Sequence, residues 1–153
     1  MSDAKKYWFE DFAVGSVREM GGATLSKEDI LRFAREYDPQ PFHVDEEAAR
    51  ASPYGGLIAS GWQTCALAMR MACDGFLNET ATIGSPGVED LRWLRPVRPG
   101  DTLRLRLVVV EARPMKSKPH VGLVKNRWEV SNQDGEEVLR MEAYSMVLLR
   151  GRS

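Results

Sequence analysis

The chain predicts an α+β domain in which a curved antiparallel sheet wraps one long apolar helix, and three observations carry that reading. The stretch from Gly61 to Leu77 repeats apolar residues at helical spacing and holds only Arg70 and Asp74 as charges. After residue 84 the apolar period shortens to that of a strand. The runs that follow alternate apolar and polar residues and are separated by short turn sequences.

Taken in order, residues 13–24 are short and glycine-punctuated and predict a first strand or hairpin. Ser26 is placed to cap a helix, with Glu28 and Asp29 in the first turn where the helix dipole favours carboxylates. Ile30, Leu31, Phe33 and Ala34 give this helix its apolar stripe, and Pro39 stops it. Asp45 is expected to cap a short helix running to Ala51, and Gly55-Gly56 break the chain after it. In the long stretch, Trp62, Cys65, Ala66, Met69, Ala72, Cys73 and Phe76 predict a buried helix, with Arg70 and Asp74 paired at i, i+4. Leu103, Leu105, Leu107 and Val109 then alternate with Arg104 and Arg106 after the turn Arg98-Pro99-Gly100-Asp101. A strand from Val121 to Val130 turns back at Asn132-Gln133-Asp134-Gly135, and a last strand spans Val138 to Leu149.

Composition bounds the function classes. The 153 residues predict one domain over 1–153, and 43% apolar with 28% charged content describes a globular chain. With 21 Lys+Arg against 22 Asp+Glu the net charge is −1, without the basic excess that binding a nucleic-acid backbone requires. No segment approaches the roughly 20 apolar residues of a membrane span. The opening Met1-Ser-Asp-Ala-Lys-Lys-Tyr-Trp lacks an apolar signal core, so a cytoplasmic protein is expected. Cys65 and Cys73 would stand about 12 Å apart on one helix, too far for a disulfide, and read as core filler. No His, Cys, Asp and Glu group has metal-ligand spacing.

The chain has two histidines, His43 and His120. His43 ends Asp38-Pro39-Gln40-Pro41-Phe42-His43, where two prolines stiffen the backbone between a carboxylate and an imidazole. Such a loop can aim both groups at one small volume. The competing reading is a structural turn, with Asp38 capping its own backbone and His43 exposed. The second candidate is Ile58-Ala59-Ser60-Gly61-Trp62 at the start of the long helix. Ser60 is a good N-cap, and the first free N–H groups of a helix can hold a developing oxyanion. A simple cap with close packing is the alternative there.

Together these pieces resemble the MaoC-like dehydratases, or (R)-specific enoyl-CoA hydratases, of the hotdog fold. The family pattern Asp-x-Asn-Pro-aliphatic-His is similar to Asp38 through His43, with Gln40 in place of the usual Asn and Phe42 in place of a smaller aliphatic residue. Ile58-Ala59-Ser60-Gly61 resembles the stretch that opens the family's central helix. Trp93-Leu94-Arg95-Pro96-Val97-Arg98-Pro99-Gly100-Asp101-Thr102-Leu103 resembles its aromatic-x-x-Pro-Val-x-Pro-Gly-Asp-Thr-Leu run. The opening Phe9-Glu10-Asp11-Phe12-Ala13-Val14-Gly15 is similar too.

The resemblance implies reversible addition of water to a trans-2-enoyl-CoA, giving a 3-hydroxyacyl-CoA of R configuration. Asp38 and His43 would activate the water, and the Gly61 N–H would hold the thioester oxygen, with Gly61 leaving room for the thioester. Gln40, Ser60 and Trp62 are the candidates for substrate contact. CoA enters as part of the substrate, and no separate cofactor or metal is expected. Basic residues should line the approach of its phosphates: Arg92, Arg95 and the cluster Arg113, Lys116 and Lys118, the last also readable as a solvated hairpin. A homodimer or a higher assembly of dimers is expected. A hotdog thioesterase, with a carboxylate such as Asp74 on the central helix, and a non-catalytic acyl-CoA-binding subunit are the rival readings.

Overall fold

A computed structural model describes residues 4–151. The first residues of the opening stretch, and both ends of the unit expected over 1–153, lie outside the described residues. After a 3-10 turn at Phe9–Asp11 come β1 (Val17–Thr24), α1 (Lys27–Tyr37), α2 (Pro41–Val44), α3 (Glu46–Ala51) and α4 (Gly61–Gly75). A second 3-10 turn at Leu77–Glu79 leads to β2 (Thr82–Gly84), β3 (Val88–Trp93), β4 (Thr102–Pro114), β5 (Val121–Ser131) and β6 (Glu137–Leu148). No helix among the described residues is long and apolar enough to cross a membrane.

All neighbours in the sheet are antiparallel, in the order β1-β4-β5-β6-β2, and β3 shares the free edge of β6 with β2. The alternation read in the sequence decides which face is buried. Leu103, Leu105 and Leu107 on β4 and Leu139 on β6 are 0–1% exposed. Burying each of these side chains stabilises the fold by about 1.5–3 kcal/mol. Ala68, Met71 and Ala72 of α4 join that layer in one core. The curved sheet with a helix packed in it is the architecture expected.

Local chemistry sets the helix starts as anticipated. Ser26 Oγ accepts from Asp29 N–H at 3.1 Å while the Asp29 carboxylate accepts from Ser26 N–H at 3.2 Å, closing a capping box. Asp45 Oδ1 accepts from Glu47 and Ala48 N–H at 3.0 and 3.1 Å at the start of α3.

Three expectations are corrected. The first strand begins only at Val17, and β2 and β3 carry no period in the sequence. The latter is an edge strand whose residues are mostly exposed, so no burial imposes alternation on Val88-Glu89-Asp90-Leu91-Arg92-Trp93. Next, α4 buries one face rather than its whole circumference: Trp62 is 58% and Met69 46% exposed. Finally, His43 sits on a helical turn rather than an open loop. Pro41 at the first helical position needs no N–H partner there, so it opens α2 instead of blocking it.

Candidate active site

The segment between α1 and α4 folds back on itself so that Asp38, His43 and Gly61 line one cavity of about 490 Å³. Asp38 is the C-cap of α1. His43, on α2, is 5% exposed, which removes the reading of an exposed imidazole. Leu57 to Ser60 form a buried stretch pinned on two sides: Ile58 N–H donates to Phe42 O at 3.2 Å and Ala59 N–H to Val97 O at 2.8 Å. That pinning puts the start of α4 beside α2.

The hydrogen bonds define a directed pair. His43 Nδ1 lies 2.7 Å from Ile58 O, a carbonyl that can only accept, so Nδ1 carries a proton. The other nitrogen, Nε2, therefore faces Asp38 Oδ2, at 3.3 Å, with its exchangeable site. Ser60 Oγ–H donates to the same Oδ2 at 2.7 Å, and Gln40 Nε2–H donates to Oδ1 at 2.7 Å. Burial pushes the Asp38 carboxyl upward, but the donors Ser60 and Gln40 and the nearby imidazole outweigh it and hold the group below the usual carboxylate range. Asp38 is thus ionised at neutral pH. Its Oδ2 stands within reach of His43 Nε2, so a proton can pass between the two groups.

Gly61 is the first residue of α4, so its N–H is not used by the helix ladder. The space that its missing side chain leaves is filled by the indole of Trp93, which any Cβ at position 61 would overlap. The expectation that this room serves a thioester is therefore replaced: the glycine admits an indole.

Among the expected contact residues, Gln40 and Trp62 line the cavity, but Ser60 does not. It is 0% exposed, and its hydroxyl is spent on Asp38 and on accepting from Trp62 N–H at 3.2 Å, so it supports the carboxylate from beneath. Phe42 stands edge-on to His43 at 4.5 Å between centroids and to Tyr54 at 5.4 Å, forming an aromatic wall. Tyr54, Trp93 and Val138 line the cavity without having been singled out for it; only Trp93 left a trace, as the aromatic residue of the Pro-Val run. Arg95 reaches the cavity and pairs with Glu136 at 3.3 Å. Arg113, Lys116 and Lys118 belong to the β4–β5 hairpin at the far end of the sheet. About 35 Å of strand, at ~3.3 Å per residue, separates that hairpin from the β4 start beside the cavity. Asp74 is likewise remote, thirteen residues or about 20 Å along α4 from Gly61, and is paired with Arg70 at 2.9 Å. Both cysteines are free, and no group of three or more potential metal ligands occurs among the described residues.

Known proteins resemble the chain in sequence and in fold. The profile of the MaoC like domain matches residues 11–132. The chain is 32% identical to the uncharacterized protein YdeM of Bacillus subtilis, over 92% of this chain and 97% of that one. It is 25% identical to a 3-hydroxybutyryl-CoA dehydratase of Methylorubrum extorquens, over 92% and 88% of the two. Among solved structures, it is similar to a MaoC-like dehydratase from Rhodospirillum rubrum, with 39% identity, TM-score 0.85, and 95% and 99% of the two chains covered. It is also similar to the R-hydratase PhaJ1 of Pseudomonas aeruginosa, with 26% identity, TM-score 0.73, and 97% and 90% covered.

Proposed function

The chain belongs to the MaoC-like domain family, and on that footing we propose that it is a hydro-lyase that reversibly adds water to a trans-2-enoyl-CoA to give an (R)-3-hydroxyacyl-CoA. The observation that carries the proposal is the convergence of the ionised Asp38, the tautomer-fixed His43 and the first N–H of α4 on one cavity. Water is a poor nucleophile, and a positioned acid–base pair typically contributes 10²–10⁴-fold. Held beside the pair by bonds to both Asp38 Oδ2 and His43 Nε2, the water gives its oxygen to C3 and one proton to the pair. The electrons of the C2–C3 double bond move toward the thioester oxygen, where the Gly61 N–H stabilises the developing enolate. The pair then delivers a proton to C2. Water is consumed, nothing is oxidised, and the pair ends as it began.

In this reading residues 1–153 act as one cytoplasmic unit that assembles into a homodimer or a set of dimers. The relatives named for dehydration of 3-hydroxybutyryl-CoA and for R-hydration support the substrate class. The apolar lining from Phe42, Ile58 and Val97 suits an acyl chain. Thioester hydrolysis is disfavoured by the position of Asp74, far from the cavity and already paired.

The test uses crotonyl-CoA and the wild-type protein. The proposal expects loss of the enone absorbance, a 3-hydroxybutyryl-CoA product of R configuration, and no thiol release. Free CoA detected by a thiol reagent at the rate of substrate loss would overturn the hydro-lyase in favour of a thioesterase.

A further inference from the structure

Trp93 ends β3, the edge strand without a sequence signature. Its backbone pairs with Leu139 on β6, and the next residue, Leu94, donates its N–H to Val138 O at 2.9 Å, so its stem is fixed in the sheet. From there the indole crosses to the first turn of α4. Its Nε1–H donates to Gly61 O at 2.9 Å, and its ring lies on the glycine Cα face where any Cβ would overlap it. Trp62 meets the same ring edge-on at 5.1 Å between centroids.

These contacts act on the residue with the greatest backbone freedom. On its N-terminal side, Ser60 is held by its bond to Asp38 and Ala59 by its bond to Val97 O. On its C-terminal side, the Gly61 carbonyl is held by the Trp93 indole. The peptide plane that carries the Gly61 N–H runs from the Ser60 carbonyl to the Gly61 Cα. Ser60 O accepts from Gln63 and Thr64 N–H at 3.0 and 3.2 Å. Beyond the Cα the indole holds the glycine and the glycine's own carbonyl, which limits rotation at that end. Oxyanion stabilisation depends on donors oriented before the charge develops, which is the property such a restraint supplies.

We infer that Trp93 is a positioning residue that clamps Gly61 so that its N–H is aimed at the thioester oxygen. The inference deepens the hydro-lyase reading and rests on it for the identity of the acceptor. Trp93 takes no proton and touches no reacting atom; it acts through the glycine.

The test compares Trp93→Phe, which keeps a ring against Gly61 but loses the indole N–H, with Trp93→Ala, which loses both. With crotonyl-CoA, the clamp predicts kcat lower by about 10- to 100-fold in Trp93→Phe and lower still in Trp93→Ala, because part or all of one oriented donor is lost. KM is expected to stay within about twofold, since the interaction is made in the transition state. The near-ultraviolet enolate band of bound acetoacetyl-CoA should weaken in the same order. An unchanged kcat in both variants, or a raised KM at constant kcat, would overturn the inference and leave Trp93 as a wall of the cavity. Hydrogen exchange at the Gly61 amide in the unliganded protein separates this from the function itself. Faster exchange in both variants supports the clamp and unchanged exchange refutes it, whether or not the wild-type protein hydrates crotonyl-CoA.

Discussion

Replacing Ser60 with alanine probes how the carboxylate is prepared. One oxygen does two jobs: its hydroxyl donates to Asp38 Oδ2 at 2.7 Å, and it accepts from Trp62 N–H at 3.2 Å as the cap of α4. Loss of a cap costs about 1 kcal/mol. Loss of a hydrogen bond to a charged group costs about 1.5–3 kcal/mol. The two share an atom and do not simply add, so about 2–3 kcal/mol is expected at pH 7. The pH dependence tells the two parts apart. Despite burial, the donors Ser60 and Gln40 keep the folded Asp38 below the value of about 3.9 that it has in the unfolded chain. Its contribution is thus fully present above that unfolded value and is lost as pH falls through the folded one. Ser60→Ala raises the folded value, so the penalty should be largest near neutrality and shrink toward the cap term alone as the pH drops to about 4 and below. Urea unfolding of both proteins at several pH values reads this directly. The acid limb of kcat/KM for crotonyl-CoA should move to higher pH, because the carboxylate loses a donor that favours its ionised form. A penalty that does not vary with pH, together with an unmoved acid limb, would refute the claim that Ser60 holds Asp38 ionised.

Other parts of the molecule yield sharper stability tests. The Arg18 guanidinium lies 4.5, 4.9 and 5.7 Å from the ring centres of Tyr7, Phe12 and Phe76. Arg18→Met should cost about 1–2 kcal/mol in chemical denaturation and leave crotonyl-CoA turnover unchanged. Leu105 is 1% exposed, and Leu105→Ala should cost about 3 kcal/mol or more by the same measurement. A Cβ at Gly122 would overlap the Phe9 ring, so Gly122→Ala should displace that ring and cost about 1–3 kcal/mol, read as a lowered Tm.

The sequence made some of these features legible and hid others for physical reasons. The long strands were readable because each has one dry face, which forces Leu103, Leu105 and Leu107 to alternate with arginines. Asp38 and His43 were readable because proline spacing is a covalent constraint written in the chain. What was not readable depends on partners distant in sequence. The edge strand β3 owes its pairing to β6 rather than to its own pattern. That Ser60 faces Asp38 rather than substrate follows from how α1 packs beside α4, 22 residues on. The reason for a glycine at position 61 could be guessed as close approach, but the approaching group is Trp93, 32 residues later. His43 looked as free as any loop histidine until the Ile58 carbonyl fixed its tautomer.

The proposed hydration rests on Asp38 and His43 activating the water together. Steady-state hydration of crotonyl-CoA by Asp38→Asn and by His43→Ala, with circular dichroism and oligomeric state matched to wild type, tests it most directly. Each substitution should lower kcat by about 10²–10⁴-fold while the folded assembly persists. Enone loss at the wild-type rate in either folded variant would contradict it.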